Sequence, residues 1–284
     1  VRSTDGHTLP EALVSMALLL LIGSAMATLL LRASGTARLH AQRMEHQQRA
    51  RVALDSITRD IRMAGAGADL LAPGGPLVLP AVWPSRVLAP DTPDTARPHV
   101  VAALMVVAGT SQSSLSAPAT PSATALSLTP AAHCPVSRPA CGFASGQLLA
   151  AYAESVGGWF ARVTSVGGSL LVVAPLTPAA APLPAGAVVA EVSLRAYEWD
   201  VAARMLRLYD SGGPSQPFID DVTGFDVAFL GPAGDLALGA LQTDAARREV
   251  RGVRVTVTVG EGEARVVATT AVAVRVKEAT GGGL

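Results

Sequence analysis

The sequence predicts an α+β protein in which one long N-terminal helix lies across a largely antiparallel β-sheet. Three observations carry that expectation. Residues 12–31 form a run of twenty without a charge, and residues 32–64 continue it without a proline and with Gly35 as the only glycine. Near the C-terminus, Val253, Val255, Val257 and Val259 alternate with Arg254, Thr256 and Thr258. Helical period comes first and strand period later, the arrangement that suits a helix packed on a sheet.

The uncharged run makes about 30 Å of helix at ~1.5 Å per residue, the thickness of a bilayer's hydrocarbon core. A cleaved secretory signal is a rival reading, because Ser24-Ala25-Met26-Ala27 offers a small-residue cleavage pattern. Against it, the apolar run continues through Leu29, Leu30 and Leu31, Glu11 precedes it, and Arg2 is the only basic residue ahead of it. Arg32, Arg38, Arg43, Arg49 and Arg51 all follow the span, so counting positives places the C-terminal part in the cytoplasm.

The second half of the helix is patterned differently. Between Arg32 and Arg49 only Leu39 and Met44 are sizeable apolar residues. From there Ala50, Ala53, Leu54, Ile57, Ile61 and Ala64 recur at three- and four-residue steps and form one apolar stripe. Asp55 sits four residues from both Arg51 and Arg59, a spacing that allows pairing along the polar face. Gly65 supplies the stop. The result is a rod of about 50 residues by the helical period, and its apolar surfaces need neighbours.

Beyond the rod, residues 99–109 read as a buried strand and residues 110–146 as a long Ser/Pro/Ala loop. Strands are expected at 147–152, 159–166 and 169–173, the last two joined at Gly167-Gly168. A hairpin follows, in which Val192, Leu194 and Ala196 alternate with Ser193, Arg195 and Tyr197. After Val259 and the turn Gly260-Glu261-Gly262-Glu263, a second strand carries Val266, Ala268, Val272, Val274 and Val276. This reads as a two-stranded antiparallel unit with one buried face, and the stripe from Ala53 to Ala64 is the candidate cover. There is no internal repeat.

The two cysteines, Cys134 and Cys141, lie in a Pro- and Ser-rich stretch and fit a small disulfide ring formed in an oxidising compartment. The rivals are unpaired structural cysteines and a metal site with His133 as the third ligand, although zinc ordinarily takes four. A disulfide places the chain outside the cytoplasm, in conflict with the count of positive charges.

Composition excludes more than it proposes. With 22 basic and 22 acidic residues the formal net charge is zero, so no overall field draws the chain to phosphate. Two fragments look like trypsin-type protease elements: Ala131-Ala132-His133-Cys134 and Asp210-Ser211-Gly212-Gly213-Pro214. They lie too close in sequence for the two-barrel scaffold that brings a triad together, and the glycine expected before Asp210 is Tyr209. Gly65-Ala66-Gly67 follows a helix rather than a strand and lacks a third glycine, so it does not make a nucleotide loop. His7, His40, His46 and His99 show no metal spacing; His40 and His46 read as solvated or as contacts to a neighbouring subunit. No catalytic residue, metal or cofactor is expected, and no enzyme.

The stretch Gly6-His7-Thr8-Leu9-Pro10-Glu11, followed by the apolar run, resembles the type IV prepilin N-terminus. The segment Arg59-Asp60-Ile61-Arg62-Met63-Ala64-Gly65 is similar to the end of the equivalent helix in PilW-type minor pilins. The resemblance covers residues 6–65 and is diffuse beyond. It implies a pilin-like fold with a leader over residues 1–6, cleavage between Gly6 and His7, and possible N-methylation of His7, where the family usually has Phe. It also implies a membrane and assembly segment at 7–31, an amphipathic segment at 32–65, and an exported β-rich domain at 66–284.

Glu11 becomes the fifth mature residue, and the resemblance implies that it meets the N-terminal amine of an adjacent subunit. A carboxylate at the bilayer centre costs ~2.5–3.5 kcal/mol on insertion scales and less near the interface, so it persists where assembly supplies a partner. The implied function is that of a minor structural subunit of a type IV pilus. Its implied partners are other major and minor pilins, the prepilin peptidase and the inner-membrane assembly platform. The implied location is the inner membrane, single-pass with the N-terminus cytoplasmic, and then the pilus at the periplasm or cell surface. A minor pseudopilin of a type II secretion system is the alternative; a DNA- or surface-binding minor pilin is more remote.

Overall fold

The computed structural model describes residues 9–67, 80–84, 99–106, 111–120, 122–130, 134–135, 140, 142–153, 156–176, 181–211 and 213–274. Its first element is α1, Leu9–Met63, a single helix of 55 residues and about 80 Å at the standard rise. Pro10 and Glu11 lie in its first turn and Arg62 in its last, each suited to that end of the helix dipole. Gly65 ends it with φ +75°, a left-handed conformation that costs glycine little, and donates its N–H to the Leu104 carbonyl at 2.8 Å.

The strands follow in order: β1 (Val82–Trp83), β2 (Val100–Val106), β3 (Gln112–Leu115), β4 (Ala125–Thr129), β5 (Leu148–Ala153), β6 (Gly157–Gly167) and β7 (Leu170–Pro175). After them come β8 (Val188–Asp200), β9 (Met205–Asp210), β10 (Gln216–Ile219), β11 (Val222–Gly231) and β12 (Gly234–Leu236). A short helix α2 (Asp244–Arg248) precedes β13 (Gly252–Val259) and β14 (Val266–Ala273). All pairings among these strands are antiparallel.

Three β layers result. The C-terminal sheet has the order β12-β11-β13-β14. An open sheet runs β1-β2-β8-β9-β10. The remaining strands close on themselves, because β8 pairs with both β3 and β5 and the ring continues through β4, β7 and β6. The six-membered barrel is filled with side chains, including Leu115, Leu126, Leu149, Trp159 and Leu171, as small barrels are. Strand β8 belongs to two layers: its residues 188–191 pair in the barrel and residues 192–200 in the open sheet.

Strand β2 is apolar throughout because both of its faces are covered. Val101 and Ala103 face a core shared with α1 and the C-terminal sheet. Ala102 and Leu104 face a second core against the barrel's outer wall, where Trp83 meets Phe160 edge-on at 6.3 Å. The stripe Ala50, Ala53, Leu54, Ile57, Ile61 and Ala64 packs on Val253, Val255, Val257 and Val259, the cover expected from the sequence. Small residues at 50 and 53 let the helix come close to the sheet.

Several expectations need correction. The stretch 110–146 is not one loop: β3 and β4 lie inside it, with Leu115, Leu126 and Leu128 turned into the barrel. Strands of four and five residues among Ser, Thr and Pro carry too little apolar pattern to stand out. The two C-terminal strands are half of a four-stranded sheet, since β11 and β12 complete it; Val276 lies outside the described residues. The alternation in β8 holds, with Val192, Leu194 and Ala196 in one core, while Tyr197 on the opposite face is itself buried against α1. Asp55 pairs with neither Arg51 nor Arg59 among the described residues, whereas Glu45 and Arg49 do make an i,i+4 pair at 2.6 Å.

Candidate functional site

The rod divides into a bare half and a clamped half. Every residue from Leu9 to Arg38 is exposed, including thirteen large apolar side chains between Leu9 and Leu31. Each side chain of that class gains about 1.5–3 kcal/mol on leaving water, so this surface calls for lipid or other helices around it. The helix is long and apolar enough to cross a membrane. Glu11 is exposed in the first turn, and the Ser15 hydroxyl donates to its backbone carbonyl at 2.8 Å.

The clamped half is held by polar contacts as well as by the stripe. Asp60 lies in the stripe itself and is only 3% exposed. Its Oδ1 accepts from the Arg195 guanidinium at 3.1 Å and its Oδ2 from the Tyr197 hydroxyl at 2.7 Å. With the phenol's one proton committed to Asp60, the Ser56 hydroxyl donates to Tyr197 at 2.9 Å. Burial pushes the Tyr197 phenol well above its ordinary range, and donation to Asp60 adds to that rise. The charge of Asp60 raises the Arg195 pKa further above its already high value. Such a pair fixes register: only one seating of helix on sheet satisfies the buried carboxylate.

A second clasp lies about three helical turns from the stripe's centre. His46 Nδ1 is 2.8 Å from the Ala264 carbonyl and its Nε2 is 3.2 Å from Asp221. Asp221 also accepts from Arg204 at 2.5 Å, and Arg204 reaches Glu261 at 2.6 Å. Arg43 donates to the Glu263 carbonyl at 2.7 Å, and Arg49 pairs with Asp220 at 3.0 Å. The ring of His46 sits against Gly260, whose φ is +77° and where a Cβ would collide with the imidazole. His46 is therefore neither solvated nor free for a neighbouring subunit, contrary to the sequence reading; its side chain is 12% exposed and packed on its own domain. His40 is exposed.

The other sequence candidates are distributed as follows. Gly6 and His7 lie outside the described residues, as do His133 and Cys141. Cys134 is disulfide-bonded. The Ser211 hydroxyl donates to the adjacent Asp210 at 3.0 Å, and its carbonyl accepts from Arg162 at 2.7 Å. His99 Nδ1 is engaged with the Phe225 carbonyl at 2.8 Å. Gly65-Ala66-Gly67 forms the turn that follows α1. Among the described residues no three His, Cys, Asp or Glu side chains gather as metal ligands.

Sequence reasoning missed Asp60, Arg195 and Tyr197 as a unit. A signal was present, since Asp60 is the one carboxylate on an otherwise apolar stripe, but its partners lie 135 and 137 residues away. Comparison with protein-family models finds no match, and comparison with curated proteins finds none either.

Proposed function

We propose that this chain is a minor, pilin-like structural subunit of a type IV pilus, made as a membrane precursor and cut between Gly6 and His7. The observation that carries the reading is the division of α1. Its N-terminal half is a bare apolar rod, while its C-terminal half is locked onto a β domain by the stripe and by Asp60. A rod presented in that way buries its surface first in lipid and then among parallel helices of its kind, with the β domain held outside the bundle. The Gly6-to-Glu11 spacing supports cleavage and a charge contact to a neighbour's new amine. Buried helix surface drives assembly, and the Glu11 contact sets register.

The test is the mass of the chain recovered from cells with and without prepilin peptidase. Loss of the peptidase should leave a chain heavier by the segment ending at Gly6, and the processed form should appear in sheared fibres. An unchanged mass, with no recovery in fibres, removes the reading.

A further inference from the structure

The outer edge of β14 is built to take another strand. Its eight residues, Val266–Ala273, contain no charge, no proline and no glycine, so the strand itself lacks the residues that most often blunt an exposed edge. β14 pairs with β13 alone among the described residues. The Val274 N–H donates to the Arg251 carbonyl at 2.9 Å, which sets the phase of the ladder. By the two-residue alternation of antiparallel pairing, the backbone groups of Val267, Thr269, Ala271 and Ala273 then turn away from β13. All four residues are exposed, Val267 by 55%.

Beside this edge runs a groove of about 970 Å³ between β14 and α1. Its helical wall carries Arg51, Arg59 and Arg62 against a single acid, Asp55, and its strand wall includes Val267 and Thr269. The three arginines are exposed and make no ion pair among the described residues.

We propose that the β14 edge is a β-augmentation site for an extended segment of a different protein, with carboxylates at alternate positions facing Arg51, Arg59 and Arg62. Main-chain hydrogen bonds to the four outward residues supply affinity, and the arginine row selects for acid. A second copy of this chain is the wrong occupant. Antiparallel β14–β14 pairing has its two-fold axis perpendicular to the sheet, which sets both helices on one face and brings the two arginine rows together. The same axis turns the two α1 rods in opposite directions, which chains anchored side by side in one membrane cannot adopt. The site is separate from the bare half of α1 and goes beyond the fibre reading; failure of leader cleavage leaves it standing.

The experiment uses the full chain in detergent micelles and two synthetic peptides, one alternating valine with glutamate and the other alternating valine with lysine. Residue-resolved hydrogen exchange and peptide anisotropy are the readouts. The glutamate peptide should slow exchange at Val267, Thr269, Ala271 and Ala273 and leave the inward-turned residues of β14 unchanged. Replacing Arg51, Arg59 and Arg62 with glutamine, on an exposed face that does not threaten folding, should weaken that peptide by about tenfold, the sum of three exposed charge pairs. Ala271→Pro, with circular dichroism as the folding control, should abolish it. The proposal is overturned if the glutamate peptide gives no protection, if the lysine peptide binds equally well, or if the edge is already protected in proportion to protein concentration without any peptide.

Discussion

Tyr197 on β8 donates its hydroxyl to Asp60 on α1 at 2.7 Å, and Arg195 from the same strand holds the other carboxylate oxygen at 3.1 Å. The bond crosses the seam between helix and sheet, so the seam's strength is open to mutation. Arg195→Met leaves the buried carboxylate with one neutral donor. The expected loss is about 3 kcal/mol, the low end for breaking a buried pair because the arginine side chain is 40% exposed. Tyr197→Phe should cost about 1 kcal/mol as a lost hydrogen bond. Urea titration of the full chain in micelles reads both, and a loss below about 0.5 kcal/mol for Arg195→Met would mean that the pair adds nothing beyond a surface contact.

The same phenol predicts an alkaline dependence. Its folded pKa is raised, so its contribution is complete below the unfolded value of about 10 and declines as pH climbs towards the folded one. Wild-type stability should therefore fall more steeply above about pH 10 than that of Tyr197→Phe. Parallel slopes for the two proteins between neutral and strongly alkaline pH would show that Tyr197 is not titrating in a buried site.

Gly260 tests the His46 clasp. Alanine there must hold a left-handed backbone and also displace the imidazole. The expected cost is about 2–3 kcal/mol, of which ~1–2 is backbone. Hydrogen exchange in the turn of α1 around His46 should accelerate along with it. Stability matching wild type would indicate that the histidine moves aside without loss.

Glu11→Val tests the assembly reading apart from anchoring. Removing a costly carboxylate from the edge of an apolar span should leave membrane retention intact or improved. The share of the chain recovered in sheared fibres should drop, because the partner amine loses its counter-charge. Equal recovery in fibres would assign Glu11 to the interface alone.

The rod, its stripe and the strands β2, β5 to β9, β13 and β14 are legible in sequence because each is an apolar run or an apolar alternation bounded by turn residues. Val253 to Val259 is the clearest case, and its buried face demands an apolar cover for which the stripe from Ala53 to Ala64 is the candidate. The barrel is not legible. Its closure depends on Val188 and Val189 pairing with β3 and β5 while Leu194 and Tyr197, a few residues on, pair with β2 and β9. No local pattern announces a strand that changes partners midway. The Asp60 clasp is half legible, since a carboxylate among Ile57, Ile61 and Ala64 demands a donor without saying which.

Strand β8 joins the barrel to the open sheet, and through Arg195 and Tyr197 it offers one route by which a pull on the rod reaches the barrel. Tension entering through α1 reaches β8 at Arg195 and Tyr197 and travels its length to Val188 without crossing a hinge. The two layers are joined covalently rather than by shared pairings, because residues 188–191 pair in the barrel and residues 192–200 in the open sheet. Under load, force on the open sheet is handed to the barrel through the continuous backbone at residues 191–192.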